Sequence, residues 1–454
     1  MPRVLGRLAI LLLPALAAGC TSISPYLDQE QAVTAAVRER MNVEQSSGRL
    51  YVPDTVQLND GLSEAEAVQL ALLNNAAFQE LLVELGLSHS DLVQASLLPN
   101  PDFVYVFGTD LKPFKYLIEL PLEAIVLRPS RMRAAGADWE RTRERLTQAG
   151  IDLMRDTRLA YTDWALARER LEIAEENRRL RARIATITES RRNAGDATPL
   201  EESASQIDSL RAKQEATRAV SDLPIAEERL RNLTGLGAFR PDLTPQSAQP
   251  FVDRTVNVEH LVDEALINRP DVLAAQHGID AAEGRLTLAR LGWLRFLGIG
   301  DATSGQSGRE FSPGFRVALP IFNWNQGAIA RAEAERDRAI RQLRTVRERA
   351  IQEVRQAHKQ HQQASADYKQ WTTEIRPAVD VAIRRAENTY KEGGTSLLLV
   401  LETSRQMIDT RSREAQLRAD LSKTWAELER SVGRKIPIRE DGFATDREPE
   451  APKP

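Results

Sequence analysis

Residues 130–193 read SRMRAAGADWERTRERLTQAGIDLMRDTRLAYTDWALARERLEIAEENRRLRARIATITESRRN, sixty-four residues without a proline. Leu153, Ala160, Trp164, Ala167, Leu171 and Ala174 recur at intervals of sevens, threes and fours, and most other positions are Arg, Glu, Gln, Asp or Ala. That spacing puts a narrow apolar seam on one long helix and leaves the rest of its surface wet. At ~1.5 Å rise per residue such a helix measures roughly 96 Å, about twice the breadth of a compact domain of this chain's size, so it needs partners lying alongside it.

The partners come from the rest of the chain, which is written twice. Ala71-Leu72-Leu73-Asn74-Asn75 recurs as Ala265-Leu266-Ile267-Asn268-Arg269, Leu120-Pro121-Leu122 as Leu319-Pro320-Ile321, Gly195 as Gly393, and Leu233-Thr234-Gly235 as Ser431-Val432-Gly433. Four matches in one order at nearly one spacing define two units. Each unit is expected to hold a helix (62–98 and 258–293), a hairpin of strands (101–122 and 294–321), a very long helix (130–193 and 326–392), a Gly-containing turn and a return helix ending at Gly235 or Gly433. In the second return helix Leu401, Ile408 and Ala415 fall at sevens, followed by Leu421, Trp425, Leu428 and Val432 at threes and fours. Pro224 is expected to kink or break the first return helix.

The hairpin stretches alternate with period two. Phe103, Tyr105 and Phe107 interleave with Val104 and Val106, and Phe315, Val317 and Leu319 with Arg316 and Ala318. This is the pattern of a barrel strand with one apolar face. Two strands per unit make four per chain, too few to close a barrel around a pore, so several chains have to contribute. The domain plan is then a signal peptide 1–19, an N-terminal extension 20–57, a first repeat 58–237, a linker 238–257, a second repeat 258–434 and a disordered tail 435–454.

Composition agrees with wetted helices. Charged residues make up 28% of the chain and aromatics 5%, a poor recipe for one large core. The net charge of −4, with no dominant basic stripe, argues against nucleic acid as a partner. No apolar run of eighteen residues follows residue 20, so a membrane crossing would use strands. Arg3 and Arg7, the run Leu8–Leu13 and the small residues before Cys20 read as a secretory signal. Cys20 is the only cysteine. Its surroundings, Leu16-Ala17-Ala18-Gly19-Cys20-Thr21-Ser22, resemble a bacterial lipobox, which implies a lipidated, palmitate-bearing Cys20 and transfer to the outer membrane.

Asn268-Arg269-Pro270-Asp271-Val272-Leu273-Ala274-Ala275, the exit Ala318-Leu319-Pro320-Ile321-Phe322-Asn323 and the Gly-capped return helices resemble the TolC-like outer membrane efflux family over about residues 58–434. The resemblance implies a mainly α fold, in which a long antiparallel coiled-coil α-barrel carries a short β-strand block that completes a trimeric β-barrel. It also implies a homotrimer in the outer membrane, held by lipid and projecting into the periplasm. There it would be the passive conduit of a tripartite efflux system, with a periplasmic adaptor and an inner-membrane transporter, exporting small molecules or metal ions. No cofactor and no catalysis are expected. Two rivals stay open: a non-conducting structural coiled-coil envelope lipoprotein, and a secreted enzyme or binding protein, which would have to be compact.

Candidate sites follow. Gly195, Asp196 and Thr198 in the first tip, and Gly393, Gly394 and Ser396 in the second, are expected to meet the adaptor, against the bland reading of plain helix–helix turns. Glu201, Glu202, Glu402 and Arg405 lie within about two turns of the tips. They are candidates for a pore gate, against the reading of a solvated face with an i,i+3 pair. His358 and His361 are weak candidates for holding a soft metal; without a third ligand nearby they read as polar surface, and no metal site is expected.

Overall fold

The structure is a computed structural model. It describes residues 52–53, 56, 60–107, 115–119, 122–238, 240, 242–246, 257–299, 315–317, 321–391 and 397–436. Its elements, in chain order, are α1 (Glu64–Asn74), α2 (Ala76–Ser96), β1 (Asp102–Val106), β2 (Lys115–Glu119), α3 (Leu122–Asn193), α4 (Pro199–Leu233), α5 (Val258–Asn268) and α6 (Pro270–Arg290). They continue with a 3-10 turn (Leu291–Phe296), β3 (Leu297–Ile299), β4 (Phe315–Val317), α7 (Gln326–Gln370), a π turn (Trp371–Ile375), α8 (Arg376–Lys391) and α9 (Leu397–Val432).

The deciding stretch forms one unbroken helix. α3 has 72 residues and starts eight residues earlier than the sequence suggests, with Pro129 in its opening turns. At the usual rise per residue that length is about 108 Å. Its buried positions Met154, Thr157, Tyr161 and Trp164 step by threes and fours, as do Arg181, Ile184 and Thr188. Of the seam residues expected on α3, Ala160, Trp164 and Ala174 are buried, whereas Leu153, Ala167 and Leu171 are half-buried. On α9 the expected Ile408, Ala415, Leu421, Trp425, Leu428 and Val432 are all buried.

Residue contacts divide the chain into two compact units. One contains residues 80–148 and 270–349. In it α2 lies antiparallel to α3, with His89 edge-on to Trp139 and Arg128 donating to the Ser96 carbonyl at 2.6 Å. α6 runs along another side of α3, where a Cβ on Gly284 would stand only 2.8 Å from the Ala134 Cβ, so the two helices touch through small residues. Arg285 pairs with Asp138 across the same contact. α7 then packs on α6 through Arg290–Glu333 at 3.0 Å and through Asn325, whose side-chain amide donates to the Ala289 carbonyl at 2.7 Å. The layer order is α2, α3, α6, α7. Two antiparallel hairpins sit between these helices in the sequence: β1–β2 in the register Tyr105↔Tyr116, and β3–β4 in the register Gly298↔Arg316. The described strands are five residues long in the first hairpin and three in the second.

The other unit contains residues 37–79, 149–269 and 350–454. Here α3 lies between α4 and α9. Arg192 reaches Glu202, Arg181 approaches Asp208 at 3.8 Å, and Arg229 approaches Asp163 at 3.6 Å, which makes α3 and α4 an antiparallel hairpin. On the opposite side of α3 a ladder of ion pairs steps in opposite directions along α3 and α9: Asp152–Arg430, Arg155–Glu427, Asp163–Lys423, Glu169–Arg418 and Glu176–Arg411. Leu166, Ala415 and Ala419 close the apolar seam beneath it. α7 and α8 pack on the far side of α9 through Glu353–Arg430 and Arg376–Glu414. The order is α4, α3, α9, α7–α8, and the first and second halves of the sequence meet in the middle.

Two expectations need correction. The sequence reads 62–98 and 258–293 as one helix each, but each is two, broken at one extended residue, Asn75 or Arg269. Pro270 explains the second break, because a proline disfavours the helical conformation in the residue before it and suits the first position of a new helix. Pro224 does not interrupt α4. The Val220 carbonyl that loses its donor lies on an exposed turn, where water can replace the missing N–H. Pro377 has the larger effect. It leaves the Thr373 carbonyl without its usual donor, and the Arg376 N–H reaches back to the Trp371 carbonyl in a π turn.

Gly235 closes α4 at φ +72°, and a Cβ there would collide with the Asn74 carbonyl and stand 2.6 Å from the Asn74 Cβ. Gly195 has φ +86° with nothing within 4 Å of a Cβ. Gly235→Ala therefore combines backbone strain with a backbone clash, and Gly195→Ala carries the strain alone. The first is expected to cost several kcal/mol and the second about 1 kcal/mol, read as the fall in unfolding midpoint by far-UV circular dichroism. Equal effects would contradict the packing described.

Candidate functional site

The first tip follows from its sequence. Gly195 ends α3 in the left-handed conformation. The Asp196 N–H donates to the Arg191 carbonyl at 2.8 Å, satisfying a terminal acceptor. Two residues later Thr198 caps α4. Its hydroxyl oxygen accepts from the Glu201 N–H at 3.2 Å, and the Glu201 carboxylate accepts from the Thr198 N–H at 2.7 Å. This reciprocal pair satisfies two orphan donors, and Pro199 fills the first helical position. The turn is short and fully capped from within, and it presents Asp196, Thr198 and Leu200 toward solvent. The second tip, with Gly393, Gly394 and Ser396, lies outside the described residues, as does Cys20.

The gate candidates separate. Hydrogen bonds from the Thr198 N–H and then its hydroxyl hold the Glu201 carboxyl below its ordinary pKa. Glu202 is paired with Arg192 across the hairpin. Both carboxylates brace the tip. Glu402 and Arg405 are exposed on α9, and Glu402 accepts from Gln406 at 3.5 Å. His361 is buried, with Nδ1 3.2 Å from the Thr424 hydroxyl and its ring 5.0 Å from Trp425, so it belongs to the α7–α9 seam. Among the described residues no three His, Cys, Asp or Glu side chains converge.

Sequence reasoning missed the joints at Asn75 and Arg269. Asn75 is buried; its amide donates to the Leu233 carbonyl at 3.0 Å, and its oxygen accepts from the Phe78 N–H at 2.9 Å. Arg269, 1% exposed, occupies the matching place: its guanidinium donates to the Ser431 carbonyl at 3.0 Å and to Glu353. In each half the broken helix is thus bolted to the last turn of a return helix. The dipeptide Arg269-Pro270 was the available signal for the second joint; Asn75 offered only its preference for turns and caps.

A second network lies beside them. Arg158 bridges Glu64 and Glu429; burial opposes its charge, but the two carboxylates raise its pKa on balance. Burial would push the Glu353 carboxyl up, yet Arg269 and Arg430 hold it below its ordinary 4.5. A lowered folded pKa means that these pairs stabilise the fold above the unfolded carboxylate value and lose that contribution as pH falls through the lowered one. Tyr161, buried beside Trp164 and facing Glu64, is pushed up to about 12. Its hydroxyl donates to the Leu62 carbonyl at 2.8 Å. Arg269→Ala is expected to cost about 3–5 kcal/mol, because it strands a buried acceptor and part of the Glu353 charge. Glu353→Gln is expected to flatten the acid limb of a melting-temperature profile against pH, and an unchanged profile would exclude this network as its source.

At the strand ends the chain exposes aromatics: Phe103, Tyr105 and Phe107 on and after β1, Trp293 before β3, and Phe322 and Trp324 after β4. Tyr105 and Phe107 pack edge to face at 5.0 Å.

The outer membrane efflux protein family's sequence profile matches residues 67–236 and 261–434, two consecutive stretches. The cobalt-zinc-cadmium resistance protein CzcC of Cupriavidus metallidurans is 24% identical over 382 residues, covering 81% of this chain and 89% of that one. The pyoverdine export outer membrane protein OpmQ of Pseudomonas putida is 27% identical over 290 residues, 60% of each chain. The outer membrane channel CmeC of Campylobacter jejuni superposes with a TM-score of 0.68 at 15% identity, over 86% of this chain and 90% of that one.

Proposed function

Because the chain belongs to the outer membrane efflux protein family, whose members are channels and not enzymes, we propose that it is the outer membrane conduit of a tripartite efflux system, passing small molecules or metal ions without catalysis. The observation that carries this is the layer order: in each unit four helical strands lie side by side, with α1 and α5 packed on the second of these layers, and in the first unit no described contact covers the outer side of α2 or of residues 326–349 of α7. Such a layer is a piece of a wall. Three copies would close it into an α-barrel, and twelve strands, four from each, would close the β-barrel above it. The two stretches matched by the family profile support reading the chain as two repeats, 58–237 and 258–434, joined by a linker.

The exposed aromatics flanking the strands support a membrane boundary there, because Trp, Tyr and Phe gather at barrel interfaces. A lipid on Cys20 would add an anchor to the same membrane. The tips then project into the periplasm, with Asp196, Thr198 and Leu200 of one and Gly393, Gly394 and Ser396 of the other as the surface for an adaptor that joins the channel to an inner-membrane transporter. Glu402 and Arg405 are the gate candidates still exposed. The names of CzcC and OpmQ include cobalt, zinc and cadmium in the one and pyoverdine in the other, and both cargo types suit a wide passive pore.

The test is export in cells. Asp196→Lys with Leu200→Glu is expected to abolish efflux while leaving the amount of outer membrane protein and its trimer unchanged. Cells lacking the gene should accumulate the cargo of the cognate transporter to the same degree. Full export by the tip variant would remove the tip as the adaptor surface, and unchanged accumulation in the deletion strain would count against the efflux role itself.

A further inference from the structure

The open edges of the first unit differ in charge. α2 carries Glu80, Glu84 and Asp91 and neither Lys nor Arg. Residues 326–349 of α7 carry Arg331, Arg336, Arg338, Arg341, Arg344, Arg347 and Arg349 against four carboxylates.

The faces are set by burial. On α2, Phe78, Leu82 and Leu85 turn toward the layer and are buried. Glu80, Glu84, Leu87 and Asp91 are exposed and fall on the opposite side at ~100° per residue. On α7, Ala332 and Ala350 mark the inward face, and Arg338, Arg341 and Arg344, all exposed, lie around the opposite direction. Arg344 pairs with Glu348 on its own helix at 2.9 Å, an exposed pair that contributes little and exchanges readily.

Levels across the layer can be read from its contacts. Leu92 meets Gly136, and Asp138 meets Arg285. Arg290 meets Glu333 and Asn325 lies against Ala289 and Gly292, so along antiparallel α6 and α7 residues 278–285 span the height of Arg338. Asp91 is therefore at about the height of Arg338, and Glu84, seven residues back, at about the height of Arg344. α2 and α7 run in opposite directions, and a rotation axis parallel to the helices preserves height.

Resting on the proposed trimer and specifying its contact, we infer that the acidic outer face of α2 in one copy docks on the arginine face of α7 in the next. Asp91 lies opposite Arg338, Glu84 opposite Arg344, and Leu87 on the stem of Arg341. The occupant is a second copy of this chain because the complementary face is on the chain itself, at matching height and with opposite polarity. A head-to-tail contact of this kind closes into a ring.

The experiment uses full-length protein in detergent, with mass measured by native mass spectrometry and helix content by circular dichroism. Wild type is expected to be trimeric. Glu84→Arg with Asp91→Arg, and separately Arg338→Glu with Arg344→Glu, should shift at least tenfold more protein to monomer at unchanged helix content. The four substitutions together in one chain should restore the trimer. If the double variants stay trimeric, or the fourfold variant fails to reassemble while wild type is trimeric, this contact is wrong and the trimer stands. A wild type that is monomeric under every condition overturns the contact and the trimer together.

Discussion

The seam between α3 and α9 is the interaction on which the rest of the second unit depends. A 72-residue helix with a narrow apolar stripe cannot stand in water alone, and the return helix from the other half of the sequence supplies its cover. The ladder from Asp152–Arg430 to Glu176–Arg411 fixes direction and register, and the small residues Ala415 and Ala419 let the two backbones approach. Individually these pairs are mostly half-exposed and weak. Beside the ladder, Glu429 of α9, 3% exposed and paired with Arg158 of α3, makes a slipped register expensive because it would strand its charge.

The joints at Asn75 and Arg269 complete that arrangement. Each interrupts a helix for a single residue and uses the side chain to satisfy the end of a return helix, so the bend and the cap are one device. The halves solve the problem with different chemistry. The first uses a neutral amide. The second uses a guanidinium that also recruits Glu353 from α7, and through it Arg430 of α9, linking three helices in one network. A short tip at Gly195 and a fully capped α4 show the same economy at the other end of the hairpin.

Much of this is legible in the sequence. The long helix and the Gly-capped return helices are visible because they rest on periodicity and on residues with one backbone use. The α3 seam is harder to read because its interior includes Thr147, Thr157 and Thr188, residues that look polar. Each hydroxyl donates to a carbonyl one turn back, so these threonines pack as small apolar groups. Glu201 and Glu202 read as gate charges in the sequence because a carboxylate near a helix start has two uses, lining and capping, and the contacts with Thr198 and Arg192 that cap and brace the tip show only once the hairpin is folded. His361 cannot be placed without knowing which face of α7 meets Trp425.

The central claim is that these layers are pieces of a conducting wall. Single-channel recording of the purified full-length protein in planar lipid bilayers addresses it directly. The account predicts discrete conductance steps that require assembled protein and disappear in the charge-reversed monomers. A trimer that inserts stably yet passes no current in any condition, including with its adaptor present, would contradict it and leave a structural envelope lipoprotein in its place.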